Sequence, residues 1–219
     1  MPHPDPVTTL PPHQEAPAVR IYQTRERQTY HTDSCDIVVL LCLQTARAGG
    51  QFALVSSTTV FNEMRRRRAD LAAALFQPRA TDRRAEVGPG QDPFFTIPVF
   101  NWLAQGGAGQ LSVIYQRQYL ESAQRFSGAP RITAQIRDAL DLFDALCNEP
   151  ALHDRTGFDD WPQTERRRHL LRLWLAPEQA RALSEVFARR YGSVVPGARG
   201  GVGLPDSALP VPLDGLRKP

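Results

Sequence analysis

Six short runs rich in β-branched, aromatic and leucine residues constrain this chain more than anything else in it. They fall at residues 20–24, 37–44, 51–57, 94–102, 111–115 and 169–175. Bounded by glycine or proline, they read as strands. Their irregular spacing, with long excursions between them, suits a Greek-key or jelly-roll sheet better than a regular βαβ alternation. Three helices interrupt the series. The first, about residues 59–76, carries Phe61, Met64, Leu71 and Leu75 on one side, and the second, residues 133–147, repeats Ile136, Leu140, Phe143 and Cys147 at helical spacing behind Thr133 as N-cap. The third starts at Pro177, buries Ala180, Leu183 and Phe187, and ends near Gly192. The expected class is mainly β with helices (α+β), around an incomplete jelly-roll core.

Composition narrows the setting. At 219 residues with 42% hydrophobic and 22% charged, the chain is ordinary globular material, enough for one domain. No apolar run approaches the ~20 residues of a membrane helix, and the first residues carry neither a basic nor an apolar signal region, so a cytoplasmic protein is expected. Residues 1–18, with six prolines before position 18, read as a disordered leader, residues 19–192 as the domain, and residues 193–219 as a proline- and glycine-rich tail. Cys35, Cys42 and Cys147 form no framework of spacings and read as reduced, buried thiols. The net charge of +3 is carried almost wholly by arginine, since Lys218 is the only lysine. Arginine suits planar carboxylates. The run Arg65 to Arg68 spreads around a helix and reads as a solvated face rather than a nucleic-acid patch.

Two constellations carry chemistry. In Tyr30-His31-Thr32-Asp33 an extended chain points His31 and Asp33 to one face, where imidazole and carboxylate can meet one ion. A non-haem iron site needs one further histidine, and His153 is the best placed, because His3 and His13 sit in the leader and His169 opens a strand. A bare His-x-Asp also arises by chance as a surface pair. The second constellation runs from Glu165 to Trp174. As a strand it sets Arg168, Leu170 and Arg172 on one face, a pair of guanidinium groups able to grip a dicarboxylate. The alternative is an arginine-rich edge strand kept soluble by its charge.

Residues 19–71, 112–126 and 152–178 together resemble the taurine dioxygenase-like (TauD/TfdA) family of Fe(II)- and 2-oxoglutarate-dependent oxygenases, over roughly residues 20–197. The resemblance implies a double-stranded β-helix, with iron held by His31, Asp33 and His153. It matches Arg168 to the arginine that pairs with the far carboxylate of 2-oxoglutarate, and Arg172 to a second arginine of the same strand. It implies Fe(II) and 2-oxoglutarate as cofactors. Dioxygen and a small organic molecule are the implied partners, with neither nucleic acid nor membrane, and a homo-oligomer stays open. The rival readings are a non-catalytic remnant that keeps the scaffold and an arginine-rich nucleic-acid-binding module.

The chain departs from that family in three places. Residues 148–152 lead almost directly from the second helix to His153, leaving no room for the strand and turn that normally precede the distal histidine. The portion before His31 is short. After Gly49-Gly50 the family often places a small hydroxyl residue against the cosubstrate, where this chain has Gln51-Phe52.

Overall fold

The computed structural model describes residues 24–84, 86–105, 108–148, 155–200 and 202–203. The expected leader, nearly all of the strand expected at 20–24, His153, and the tail beyond residue 203 lie outside the described residues. In chain order the elements are strands β1 (Ile37–Gln44) and β2 (Ala48–Gly49), helices α1 (Ser57–Arg67) and α2 (Ala69–Ala74), and strands β3 (Arg79–Asp82), β4 (Phe94–Ile97), β5 (Phe100–Gln105) and β6 (Ala108–Val113). Helices α3 (Arg117–Ser122) and α4 (Ala134–Asn148), strands β7 (Phe158–Asp159) and β8 (His169–Ala176), helix α5 (Ala188–Tyr191) and strand β9 (Val202–Gly203) follow.

The architecture is mixed α and β. A three-stranded sheet runs β1-β8-β9, and β2-β7, β3-β4 and β5-β6 form two-stranded pairs. No closed barrel forms among the described residues. The reason lies at β1. Its one paired edge faces β8, antiparallel from Ile37 opposite Leu175 to Gln44 opposite His169. All eight of its residues are exposed, Leu41 at 56%. The other edge has no strand partner among the described residues, so the sheet does not curl shut.

The core lies under the helices. Met64 and Leu75 from α1 and the end of α2, Phe100 from β5, and Leu140, Phe143 and Cys147 from α4 are buried together. Burying each large side chain stabilises the fold by about 1.5–3 kcal/mol before entropy is counted. Phe61 meets the rings of Phe76 and Phe100 edge-on at 5.9 and 5.1 Å, a favoured aromatic geometry.

Several expected boundaries shift for local reasons. The first expected helix breaks in two at Arg68, whose extended backbone (φ −151°) ends α1 and opens α2. The strand expected at 51–57 is not one: the Ser56 hydroxyl accepts the Thr59 N–H and caps α1, and Phe52 keeps a single bridge to Arg155. Pro98, which has no N–H to give a ladder, splits the run at 94–102 into β4 and β5. The helix expected from Pro177 shortens to one turn at 185–187 and α5, closed by Gly192 at φ +75°. Thr133 does cap α4, its hydroxyl accepting from Ile136 N. Cys42 is exposed on β1 rather than buried, while Cys147 is buried and its thiol is pushed up to about 12 by desolvation first and Asp144 second. The run Arg65 to Arg68 is exposed, with Arg66 and Arg67 paired to Glu63 and Arg68 to Asp70.

Candidate active site

The segment bearing His31 and Asp33 is held from behind by a short ladder. His31 bridges Gln116, Thr32 N donates to Tyr115 O at 2.9 Å, and Tyr115 N donates to the Thr32 hydroxyl at 2.9 Å. The Tyr115 hydroxyl in turn donates to Asp144 of α4 at 2.5 Å, and Arg117 completes that buried cluster at 3.0 Å from the same carboxylate. The metal-ligand candidates therefore rest on the helical core. The His31 ring has a defined orientation: Nδ1 lies 2.9 Å from Thr29 O, a carbonyl that can only accept, so Nδ1 carries the proton. Nε2 then presents its lone pair, which takes an amide N–H from Gln28 at 3.0 Å. A backbone carbonyl on one nitrogen fixes the tautomer that leaves the lone pair on the other, the arrangement that prepares an imidazole for a metal once the Gln28 amide gives way.

Opposite stands β8. Arg168 and Arg172 share the face that strand parity predicts, and both line one cleft of about 580 Å³, open solvent at its mouth included, together with His31, Asp33 and Arg155. The Arg172 guanidinium lies 3.8 Å from the Asp33 carboxylate, which ties the two walls. Arg168 lies 5.0 Å from the centre of the Phe158 ring and 5.6 Å from that of Phe52, within cation–π reach of both. Burial between these rings lowers its pKa, with Cys42 and Asp160 acting weakly the other way. Its backbone N–H donates to Asp160 at 2.7 Å, fixing the start of β8. Phe52, at the position where a small hydroxyl was expected, offers Arg168 a ring face instead.

The structure thus brings together His31, Asp33, Arg168 and Arg172. His153 falls outside the described residues, and among those described no group of three histidine, cysteine or acidic side chains converges on one point. Arg155, two residues beyond His153, was not singled out by the sequence. It bridges Gln28 on one side and Phe52 on the other, and is only 3% exposed. In a chain whose cations are nearly all arginine, one more carried no signal; only the pairing of residues far apart in sequence gives it a place.

Comparison with known proteins gives this arrangement its class. The model of the taurine catabolism dioxygenase TauD, TfdA family matches residues 5–152, a span that includes His31 and Asp33. The chain belongs to that family. FR-33289 synthase of Streptomyces rubellomurinus (strain ATCC 31215) is 28% identical over 198 residues, covering 80% of this chain and 57% of that protein. A uridine-5'-phosphate dioxygenase of Amycolatopsis sp is 29% identical over 181 residues, covering 71% of this chain and 63% of that protein. The chain therefore spans about three-fifths of the length of these relatives. A crystal structure of asparagine oxygenase in complex with Fe(II), 2S,3S-3-hydroxyasparagine and succinate superposes with a TM-score of 0.44 at 18% identity, over 77% of this chain and 55% of that one. Among the described residues no helix is long and apolar enough to cross a membrane.

Proposed function

We propose that this chain is an Fe(II)- and 2-oxoglutarate-dependent dioxygenase, a cytoplasmic oxidoreductase that hydroxylates a small organic molecule, built on a double-stranded β-helix core. His31, Asp33 and His153 hold the iron, and Arg168 and Arg172 hold the cosubstrate. One observation carries the reading: His31 and Asp33 share a single cleft with Arg168 and Arg172, although more than 130 positions separate the two pairs. The donor set also fits. An imidazole whose Nε2 lone pair a metal would take over from the Gln28 amide, and a nearby carboxylate, are nitrogen and oxygen ligands of the kind Fe(II) accepts in a facial arrangement with open positions.

Iron, when bound, supplies the dioxygen chemistry in which 2-oxoglutarate is oxidatively decarboxylated to succinate and CO₂ while a substrate C–H bond is hydroxylated. The protein's part is orientation and electrostatics. Thr29 O keeps the His31 ring turned, with its Nδ1 proton engaged and Nε2 against the Gln28 amide, another residue of the cleft lining. Arg172 stands close enough to Asp33 to keep that carboxylate aimed. Arg168 meets the cosubstrate's remote carboxylate, and the rings of Phe52 and Phe158 keep water off that ion pair, where the interaction is stronger than in bulk. Dioxygen and an anionic small molecule are the partners this lining favours; one relative is named for uridine-5'-phosphate, and the arginine-rich wall suits a negatively charged substrate of that kind.

The test is succinate formation from 2-oxoglutarate with added Fe(II), with a panel of anionic substrates including uridine-5'-phosphate. Iron-dependent succinate in the wild type, abolished in His31→Ala, is the expected result. Failure of the full chain to bind iron or release succinate overturns the reading in favour of a non-catalytic remnant.

A further inference from the structure

Arg155 is the most deeply buried cation of the cleft, and nothing above uses it. It is 3% exposed, yet no carboxylate among the described residues pairs with it. One terminal nitrogen, Nη2, donates to Glu26 O, Nε has no partner, and the guanidinium carbon lies 5.1 Å from the centre of the Phe158 ring. Arg168 lies against the same ring, its guanidinium carbon 5.0 Å from the centre, and both arginines line the same cleft. Asp160 accepts the backbone N–H of Arg168 and forms no ion pair with either guanidinium. Two like charges held in one partly dry pocket, neither ion-paired with an acid among the described residues, are costly to fold around, and such a pair is complementary to an anion.

We infer that Arg155 and Arg168 form a two-guanidinium seat for one carboxylate of a dicarboxylate ligand, with Arg155 a binding residue equal in standing to Arg168. The inference rests on the proposed activity for the identity of that ligand, 2-oxoglutarate, whose carboxylate remote from the keto group would occupy the seat. The backbone explains why the seat is rigid. Residue 155 is clamped between two segments: its N–H and C=O exchange hydrogen bonds with Gln28 at 3.1 and 3.0 Å, and Thr156 N donates to Gln51 O at 3.0 Å. A guanidinium presented from a clamped strand loses little freedom when an anion arrives. Phe158 lies against both guanidinium groups, and the close approach of Gly49 to Gly157 brings β7, and this ring with it, up against β2.

The experiment is equilibrium binding to the full-length, metal-free chain by calorimetry. It compares 2-oxoglutarate with 2-oxopentanoate, which has the same carbon chain but lacks the remote carboxylate. The wild type should prefer the dicarboxylate. Arg155→Met should weaken 2-oxoglutarate at least tenfold and leave 2-oxopentanoate unchanged, while Arg155→Lys recovers part of the preference. An unchanged preference in Arg155→Met, or no preference in the wild type, overturns the seat and leaves Arg155 as a brace for Glu26 O. Should Arg155→Met fail to fold, Arg168→Met decides: a residual several-fold preference for the dicarboxylate supports Arg155 as the second cation, and none refutes it. The two proposals separate cleanly. Dicarboxylate preference without succinate formation sinks the dioxygenase and keeps the seat; succinate formation with Arg155→Met at wild-type affinity does the reverse.

Discussion

Replacing Arg168 by methionine should move affinity and stability by very different amounts, and that contrast separates a ligand-binding arginine from a structural one. In the free protein Arg168 has its charge partly stripped of water between Phe52 and Phe158, and among the described residues no side chain forms a salt bridge with it. Losing the two ring contacts costs about 0.5–1 kcal/mol each at partly exposed sites. Methionine keeps most of the apolar stem and removes the buried charge, which returns a similar amount. The net change in folding stability is thus within ~1 kcal/mol, a shift of about 2–4 °C in Tm for a domain of this size. The ligand complex behaves otherwise. Removing one partner of a desolvated charge pair costs about 2–5 kcal/mol, hence a loss of roughly 30-fold to several-thousand-fold in 2-oxoglutarate affinity. Calorimetry and thermal unfolding on the same preparations read both quantities. A fall in Tm of more than ~10 °C, or an affinity within threefold of wild type, would refute the reasoning.

Two further perturbations follow from the scaffold. Asp82 is 1% exposed, and although burial alone would raise its pKa, the Ser122 hydroxyl, the Arg84 N–H and the Arg125 guanidinium together hold it below the usual carboxylate range. Its contribution is therefore present above the unfolded value of about 4 and lost as pH falls through the lower folded value. Asp82→Asn should cost about 1–3 kcal/mol near neutrality, and the difference from wild type in denaturant titrations should shrink below pH ~4. At Gly49, with φ +76°, an added Cβ would stand 2.2 Å from Gly157 O. Gly49→Ala should destabilise by more than ~1 kcal/mol, and because β7 carries Phe158, 2-oxoglutarate binding should weaken with it in the same assays.

What the sequence reveals about this molecule follows the range of the interactions involved. Strand and helix signals that are local survive: β1 matches residues 37–44, β8 matches 169–175 within a residue, and α4 begins behind Thr133. Strand parity likewise sets Arg168, Leu170 and Arg172 along one cleft wall. Local competition defeats pattern reading where one side chain decides, as at Ser56, whose capping hydroxyl turns an apparent strand into a helix start, and at Arg68, where a continuous helical period hides a break. Long-range pairing is the harder limit. Nothing in the run of residues 37–44 says that one of its edges pairs with β8 and that its whole length is left exposed, so Cys42 reads as buried from its apolar neighbours and is exposed in the fold. Arg155 is hidden for the same reason: its meaning comes from Gln28, Phe52 and Phe158, and two of those lie about a hundred residues or more away.

Metal binding by the full chain tests the central claim most directly. Titration with Fe(II) under anaerobic conditions should show one site per chain in the wild type, with affinity reduced at least tenfold in each of His31→Ala, Asp33→Ala and His153→Ala. Wild-type affinity in His153→Ala, or the absence of any stoichiometric site, would contradict the account.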